Sequence, residues 1–338
     1  MIRFNETEYL AIADKTIEEM KLAEEAADTL TEKGFENIFF IGVGGTCAMM
    51  TSAKEILKQI CHVPVYMEQA AELMATGHSQ LTERSLVIVM SKSGDTKEVV
   101  EIGNRLKKQG NPIVAFTSSY DCPIAKNSTV TVPVVKADLV EFYYMPLNVF
   151  IMRLCLNLGD ISREDYEQIY RELPLIPNNL VRIKKEFDFR AQKIAEQFAE
   201  EPYLLFVGGG QMWGEVINES MCVLEEALWI KTKAVSSADF FHGTLELVDE
   251  KLPVILIKGE GKERVLDDRA EKFLKKTTKR LVVIDPKEYA LEGVEDKFRW
   301  IYAPMITTTI MIDRMSVWFA EKTGHDMQLR RYYRQFEY

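Results

Sequence analysis

Short, largely apolar runs, most of them ending in glycine or serine, alternate with amphipathic helices along this chain, and they constrain its fold more than any other feature. Asn37 to Gly42 (Asn-Ile-Phe-Phe-Ile-Gly), Ser85 to Ser91, Pro112 to Ser118 and Val130 to Val135 each read as a buried strand. Helical spacing precedes the first, over Thr7 to Lys33, and Lys97 to Gln109 reads as a helix between the second and third. Such alternation predicts a parallel sheet wrapped by helices, because parallel strands need crossovers and end up covered on both faces.

The pattern then restarts. Tyr203 to Val207 is an apolar strand, Gly208-Gly209-Gly210 a turn and Met212 to Ile230 a helix. Val254 to Lys258 and Arg280 to Asp285 add strands around a helix over Gly261 to Lys276. Laid over Phe39 to Thr46 and the helix after it, this implies an internal duplication at an offset of about 165 residues. Glu164 to Phe198 reads as two charge-rich helical segments broken at Leu173-Pro174-Leu175-Ile176-Pro177, a connection between halves. We expect a first domain over 1–165, a second over 166–325 and a basic-aromatic tail over 326–338. The apolar area of Tyr332, Tyr333, Phe336 and Tyr338 suggests that this tail docks.

With 338 residues, 47% of them hydrophobic, the chain has ample material for such cores without staples. Five cysteines (Cys47, Cys61, Cys122, Cys155, Cys222) form no CxxC pair and leave an odd thiol, which argues against a disulfide framework and for a reducing compartment. The first residues lack an apolar run of signal length, and Leu147 to Leu158 is too short, and broken by Arg153, to span a bilayer; a soluble cytoplasmic protein is expected. A net charge of -10 repels nucleic acid and anionic lipid, so neither a nucleic-acid nor a membrane partner is expected. A phosphate must then be captured by local backbone and hydroxyl donors.

Those donors stand in Ser91-Lys92-Ser93-Gly94-Asp95-Thr96, between a strand and a helix start. Free N–H groups at a helix N-terminus and three hydroxyls suit a phosphate monoester. The alternative is that Ser93 or Thr96 simply caps the helix. Gly42-Val43-Gly44-Gly45-Thr46-Cys47 is a poor dinucleotide fingerprint, with Cys47 where the third glycine belongs, and Gly208 to Gln211 is no P-loop. The four histidines (His62, His78, His242, His325) show no spacing suited to a metal, so zinc is not expected. Glu226, late in its helix, and His242, in a polar loop before Gly243, form a carboxylate and imidazole pair of the kind that opens a sugar ring and moves a carbon proton; a solvated helix face and a structural loop histidine are the bland alternatives.

Taken together, these residues resemble the sugar isomerase (SIS) family, and the whole chain resembles its two-domain members related to the isomerase half of glucosamine 6-phosphate synthase. Ser91 to Thr96 resembles the family's Ser-x-Ser-Gly-[Glu/Asp]-Thr phosphate loop, and Gly45-Thr46-Cys47 its Gly-Thr-Ser turn, with cysteine for serine. Glu226 and His242 have the family's separation, with Thr244 where proline is usual, and Arg330-Arg331-Tyr332-Tyr333-Arg334 is similar to the tail of the fructosamine deglycase branch. The resemblance implies an α/β fold of two SIS-type subdomains, each a mainly parallel sheet flanked by helices. It implies a homodimer or higher homo-oligomer acting on a sugar phosphate without cofactor, with His242 a candidate for sharing across the subunit interface. Implied binding residues are Gly45, Thr46, Cys47, Ser91, Lys92, Ser93 and Thr96, implied catalytic residues Glu226 and His242, and tail contacts Arg331, Tyr332 and Tyr333. Tyr143, Tyr144 and the terminal arginines are candidates for reading the substrate's amine. The implied activity is release of glucose 6-phosphate from a fructosamine 6-phosphate; an aldose–ketose isomerase, an amino-sugar phosphate deaminase and a non-catalytic phosphosugar sensor are the alternatives.

Overall fold

A computed structural model describes every residue except Arg334, Glu337 and Tyr338. The chain divides into two units, Glu6–Pro177 and Asn178–Tyr338, the latter including Met1–Asn5.

In the N-terminal unit the elements run α1 (Glu6–Lys33), β1 (Asn37–Gly42), α2 (Gly44–Ile60), β2 (Val65–Gln69), α3 (Ala70–Thr76), β3 (Ser85–Met90), α4 (Lys97–Gln109), β4 (Ile113–Thr117), α5 (Pro123–Asn127), β5 (Val130–Pro133), α6 (Glu141–Asn157) and α7 (Arg163–Glu172). The sheet order is β2-β1-β3-β4-β5, with every pairing parallel. β1, β3 and β4 are buried along their whole length, which is why they read as unbroken apolar runs. The edge strand β2 is only half buried and escapes the apolar pattern. On one face, Phe39, Ile41, Val87 and Val89 pack against Leu73 of α3 and Ile102 and Leu106 of α4. α6 is buried over most of its length, Tyr143 and Tyr144 included. Its Arg153 grips Asp28 of α1 with two parallel hydrogen bonds of 2.7 and 2.8 Å. That fork geometry holds the Asp28 carboxyl below its ordinary value.

α8 (Ile176–Phe198) leads into the C-terminal unit, whose elements are β6 (Leu204–Val207), α9 (Trp213–Ile217), α10 (Glu226–Leu228), β7 (Thr232–Val235), β8 (Val254–Ile257), α11 (Arg264–Thr277), β9 (Leu281–Ile284), α12 (Arg299–Ile310) and α13 (Val317–Thr323). Its sheet order is β7-β6-β8-β9, again all parallel. Strands β6, β7, β8 and β9 repeat the arrangement of β1, β2, β3 and β4 at a near-constant interval of about 168 residues, the signature of a duplicated unit. The predicted helix over Met212 to Ile230 is not uniform: π-helical turns over Asn218–Glu225 separate α9 from α10. No helix among the described residues is long and apolar enough to cross a membrane.

Candidate functional site

In an open parallel sheet, ligands bind beyond the carboxyl ends of the strands where successive crossovers leave to opposite faces. In the N-terminal unit that point lies between β1 and β3, which are hydrogen-bonded neighbours with Ile41 opposite Val89. The two segments singled out from the sequence, Gly45-Thr46-Cys47 after β1 and Ser91 to Thr96 after β3, are the loops that leave these two strands.

The second loop is held by its own hydroxyls. Ser91 is buried, its Oγ lies 3.0 Å from Thr96 Oγ1, and it accepts the Gly94 N–H at 3.1 Å. The Lys92 carbonyl accepts from Ser118 N at 3.2 Å and Ser118 Oγ at 2.7 Å, which ties the loop to the end of β4. Gly94 has φ +70°, and a Cβ there would collide with Cys122 and Thr117, so only glycine lets the chain turn this close to its neighbour. Thr96 occupies the N-cap of α4 but makes no side-chain capping bond; its hydroxyl faces Ser91 instead. The simple capping alternative is therefore not what the loop does. Ser93 is exposed and bonds Asp95, while the Lys92 ammonium pairs with Asp138.

Around the first loop, the Val43 carbonyl accepts both the Thr46 hydroxyl (3.1 Å) and the Cys47 N–H (3.3 Å). Cys47 is buried with its sulfur 3.5 Å from Gln69 Nε2, and burial pushes its thiol up to about 11, so it adds no negative charge to the loop near neutrality.

The duplicated crevice in the C-terminal unit, between β6 and β8, is occupied by the chain itself. A Cβ on Gly259 or Gly261 would run into the Glu263 carboxylate, and one on Gly210 into that side chain's methylenes. Asp267 Oδ2 accepts the Gly259 N–H at 2.9 Å and Oδ1 the Ser237 hydroxyl at 2.5 Å. Two carboxylates thus sit against the glycine-rich loops that leave β6 and β8.

Glu226 stands at the start of α10, directly after the wide π-helical turns, which rotate the start of that helix relative to α9. Its neighbour Glu225 is tied to β7 through the Thr232 hydroxyl at 2.6 Å. Glu226 Oε1 instead accepts Arg330 Nε at 2.9 Å. Arg330 also donates to the carbonyls of Met327 (2.6 Å) and Leu329 (2.8 Å), so its guanidinium is held at both ends. The pair lies in a cavity of about 560 Å³ walled by Trp229, Ile230, Lys231, Arg331, Tyr332 and Tyr333. Trp229 adopts φ +57°, uncommon for so bulky a residue, as the helix ends. Its ring packs edge-on to His325 at 4.4 Å and lies 4.1 Å beneath the Arg331 guanidinium. The tail contacts expected at Arg331, Tyr332 and Tyr333 thus fall beside Glu226, whereas Arg334 and Tyr338 lie outside the described residues.

His242 is elsewhere. It ends a single 3₁₀ turn, is exposed, does not line the Glu226 cavity, and among the described residues its ring makes no hydrogen bond within this chain. Tyr143 and Tyr144 are buried, and Tyr143 donates to the Ala137 carbonyl at 3.1 Å, so neither is free to read a substrate. Sequence reasoning singles out neither Trp229 nor Glu263; Arg330 is among the terminal arginines expected to read the substrate's amine, and the structure pairs it with Glu226.

Residues 30–154 match the model of the SIS domain. The chain is 26% identical over 313 residues to a fructosamine deglycase from Bacillus subtilis, covering 91% of this chain and 94% of that protein. It is 22% identical over 315 residues to a fructoselysine 6-phosphate deglycase from Escherichia coli, covering 93% and 90%. Its fold is similar to a solved candidate phosphosugar isomerase from Bacillus subtilis, with a TM-score of 0.88, 24% identity, and coverage of 95% and 99%.

Proposed function

We propose that this chain, whose residues 30–154 match the SIS domain, is a phosphosugar enzyme of the deglycase type that cleaves a fructosamine 6-phosphate to glucose 6-phosphate and a free amine. The observation that carries the reading is the Glu226–Arg330 pair in a tail-walled cavity. Similarity to two deglycases over nearly the whole chain supports it.

In this reading the 6-phosphate is taken by the β3–α4 loop. Ser91, Ser93 and Thr96 offer hydroxyls, the N–H groups at the start of α4 face the anion, and the Gly45-Thr46-Cys47 turn flanks it. Anchoring the phosphate converts remote binding into orientation at C1 and C2. His242 assists opening of the ring by proton transfer; its exposed position on this chain suits a group lent to a second subunit. Glu226 removes a proton from C1, giving an enaminol, and the proton returns to C2, leaving an imine between C1 and the amine nitrogen. Water adds to that imine, the C1–N bond breaks, and the amine leaves as C1 becomes the aldehyde of glucose 6-phosphate. Arg330 fixes the carboxylate's direction, and no metal or organic cofactor enters any step.

A coupled assay for glucose 6-phosphate, with fructoselysine 6-phosphate and related fructose-amino-acid 6-phosphates as substrates, tests the proposal. Turnover of fructose 6-phosphate or glucosamine 6-phosphate alone would replace it with an isomerase or a deaminase, and binding without turnover of any of these would make the protein a sensor.

A further inference from the structure

Cys61 and Cys155 are 94 positions apart in the sequence but meet in the N-terminal unit, at the end of α2 remote from its glycine-rich start. Cys61 is the residue that ends α2, donating its N–H to the Leu57 carbonyl at 2.7 Å. Cys155 lies in the last turn of α6 and is fully buried. Beyond α6 the chain reverses at Gly159, and the Asp160 N–H returns to the Cys155 carbonyl at 2.8 Å. That reversal brings a carboxylate over the two sulfurs. One ligand atom from each of Cys61, Cys155 and Asp160 lies within 4.8 Å of the other two.

We propose that Cys61, Cys155 and Asp160 form a binding site for one thiophilic divalent cation of the Zn²⁺ class. A tetrahedral zinc with Zn–S near 2.3 Å and Zn–O near 2.0 Å needs its ligand atoms about 3.5 to 3.8 Å apart, within what this cluster spans. Two sulfurs and one oxygen suit zinc, whereas calcium and magnesium call for all-oxygen shells. The carboxylate is already oriented as a metal ligand requires: Asp160 Oδ1 is 2.7 Å from His62 Nδ1, and Oδ2 accepts the His62 backbone N–H at 3.3 Å. His62 is exposed, so the site has an open side for ion entry and for a fourth ligand, water or the imidazole itself. Both sulfurs are free thiols. A bound cation would clamp the C-terminal end of α2 to the end of α6, and α2 is the helix that starts at the Gly45-Thr46-Cys47 turn.

The test is titration of reduced, metal-stripped protein with Co²⁺ followed by Zn²⁺. One equivalent of cobalt is expected, with near-ultraviolet thiolate-to-cobalt absorption that zinc removes, and with the absorption lost in Cys61→Ser and kept in Cys222→Ser. Because a change at buried Cys155 can perturb folding, the unmutated protein supplies the second measurement. Zinc should shield Cys61, the half-buried thiol of the pair, from alkylation, mapped by peptide mass, and leave the labelling of Cys222 unchanged. No thiolate absorption, its survival in Cys61→Ser, or equal alkylation with and without zinc would each overturn the proposal. So would reduced protein that takes up no cobalt and instead closes a Cys61–Cys155 disulfide in air.

Discussion

Arg330 Nε donates to Glu226 Oε1 at 2.9 Å, and the same guanidinium is braced on the carbonyls of Met327 and Leu329. A residue near the chain's end thus holds the carboxylate proposed to move the substrate's proton. Replacing Glu226 by glutamine keeps the shape and the hydrogen bond but removes the base. We expect kcat to fall by about 100- to 10,000-fold with the thermal midpoint unchanged. Arg330→Ala leaves the base in place but unaimed, and should cost about 10- to 100-fold in kcat, with partial recovery in Arg330→Lys. Steady-state kinetics of the three variants checks both statements.

Gly94→Ala tests the phosphate loop. The new methyl meets Cys122 and Thr117 at a positive φ, so the loop must move away from β4. A loss of about 1 to 3 kcal/mol in stability is expected, together with a raised KM for sugar phosphates. Denaturant unfolding and kinetics on one preparation separate the two effects; unchanged KM would show that the loop does not contact the substrate.

The duplicated crevice predicts stoichiometry. Since Glu263 and Asp267 fill the loops after β6 and β8, calorimetric titration with fructose 6-phosphate should give one site per chain. Two equal sites would contradict the assignment of Glu263 as a built-in occupant.

Much of this arrangement is legible in the sequence, and the parts that are not share physical causes. β1 and α4 match their predicted bounds, because a strand buried on both faces and a helix closed by Gly110 leave unambiguous patterns. β2 and β7 are missed because half-buried edge strands such as Val65–Gln69 and Thr232–Val235 mix polar and apolar residues. Glu226 is a candidate by its resemblance to the family's motif, but the π-helical turns that precede it depend on tertiary packing. Tyr143 and Tyr144 read as candidate pocket residues only because aromatic type does not reveal burial. The convergence of Cys61 with Cys155 and Asp160 has no local signature, since ligand spacing is a sequence rule and this cluster is made by two helix ends.

Acid–base behaviour of the C-terminal unit gives another check. Glu219 lies buried in the π-helical segment, accepting the Ser316 hydroxyl at 2.6 Å, and burial pushes its carboxyl up to about 8, with Glu215 and Asp313 adding to the rise. Below its ordinary value of 4.5 both folded and unfolded chains carry the proton; as pH rises the unfolded chain releases it first, while the folded one holds it until about 8. Stability contributed by this group is therefore present at acid pH and lost as pH rises through that window. Glu219→Gln should flatten this dependence and exceed the parent in stability above the window, as read from urea midpoints on either side of it; parallel pH profiles would contradict the assignment.

The central claim is tested most directly by incubating the purified protein with fructoselysine 6-phosphate and following glucose 6-phosphate and free lysine together. The account predicts equimolar release of both, abolished in Glu226→Gln. Release of neither from any fructosamine 6-phosphate, while fructose 6-phosphate or glucosamine 6-phosphate is converted, would contradict it.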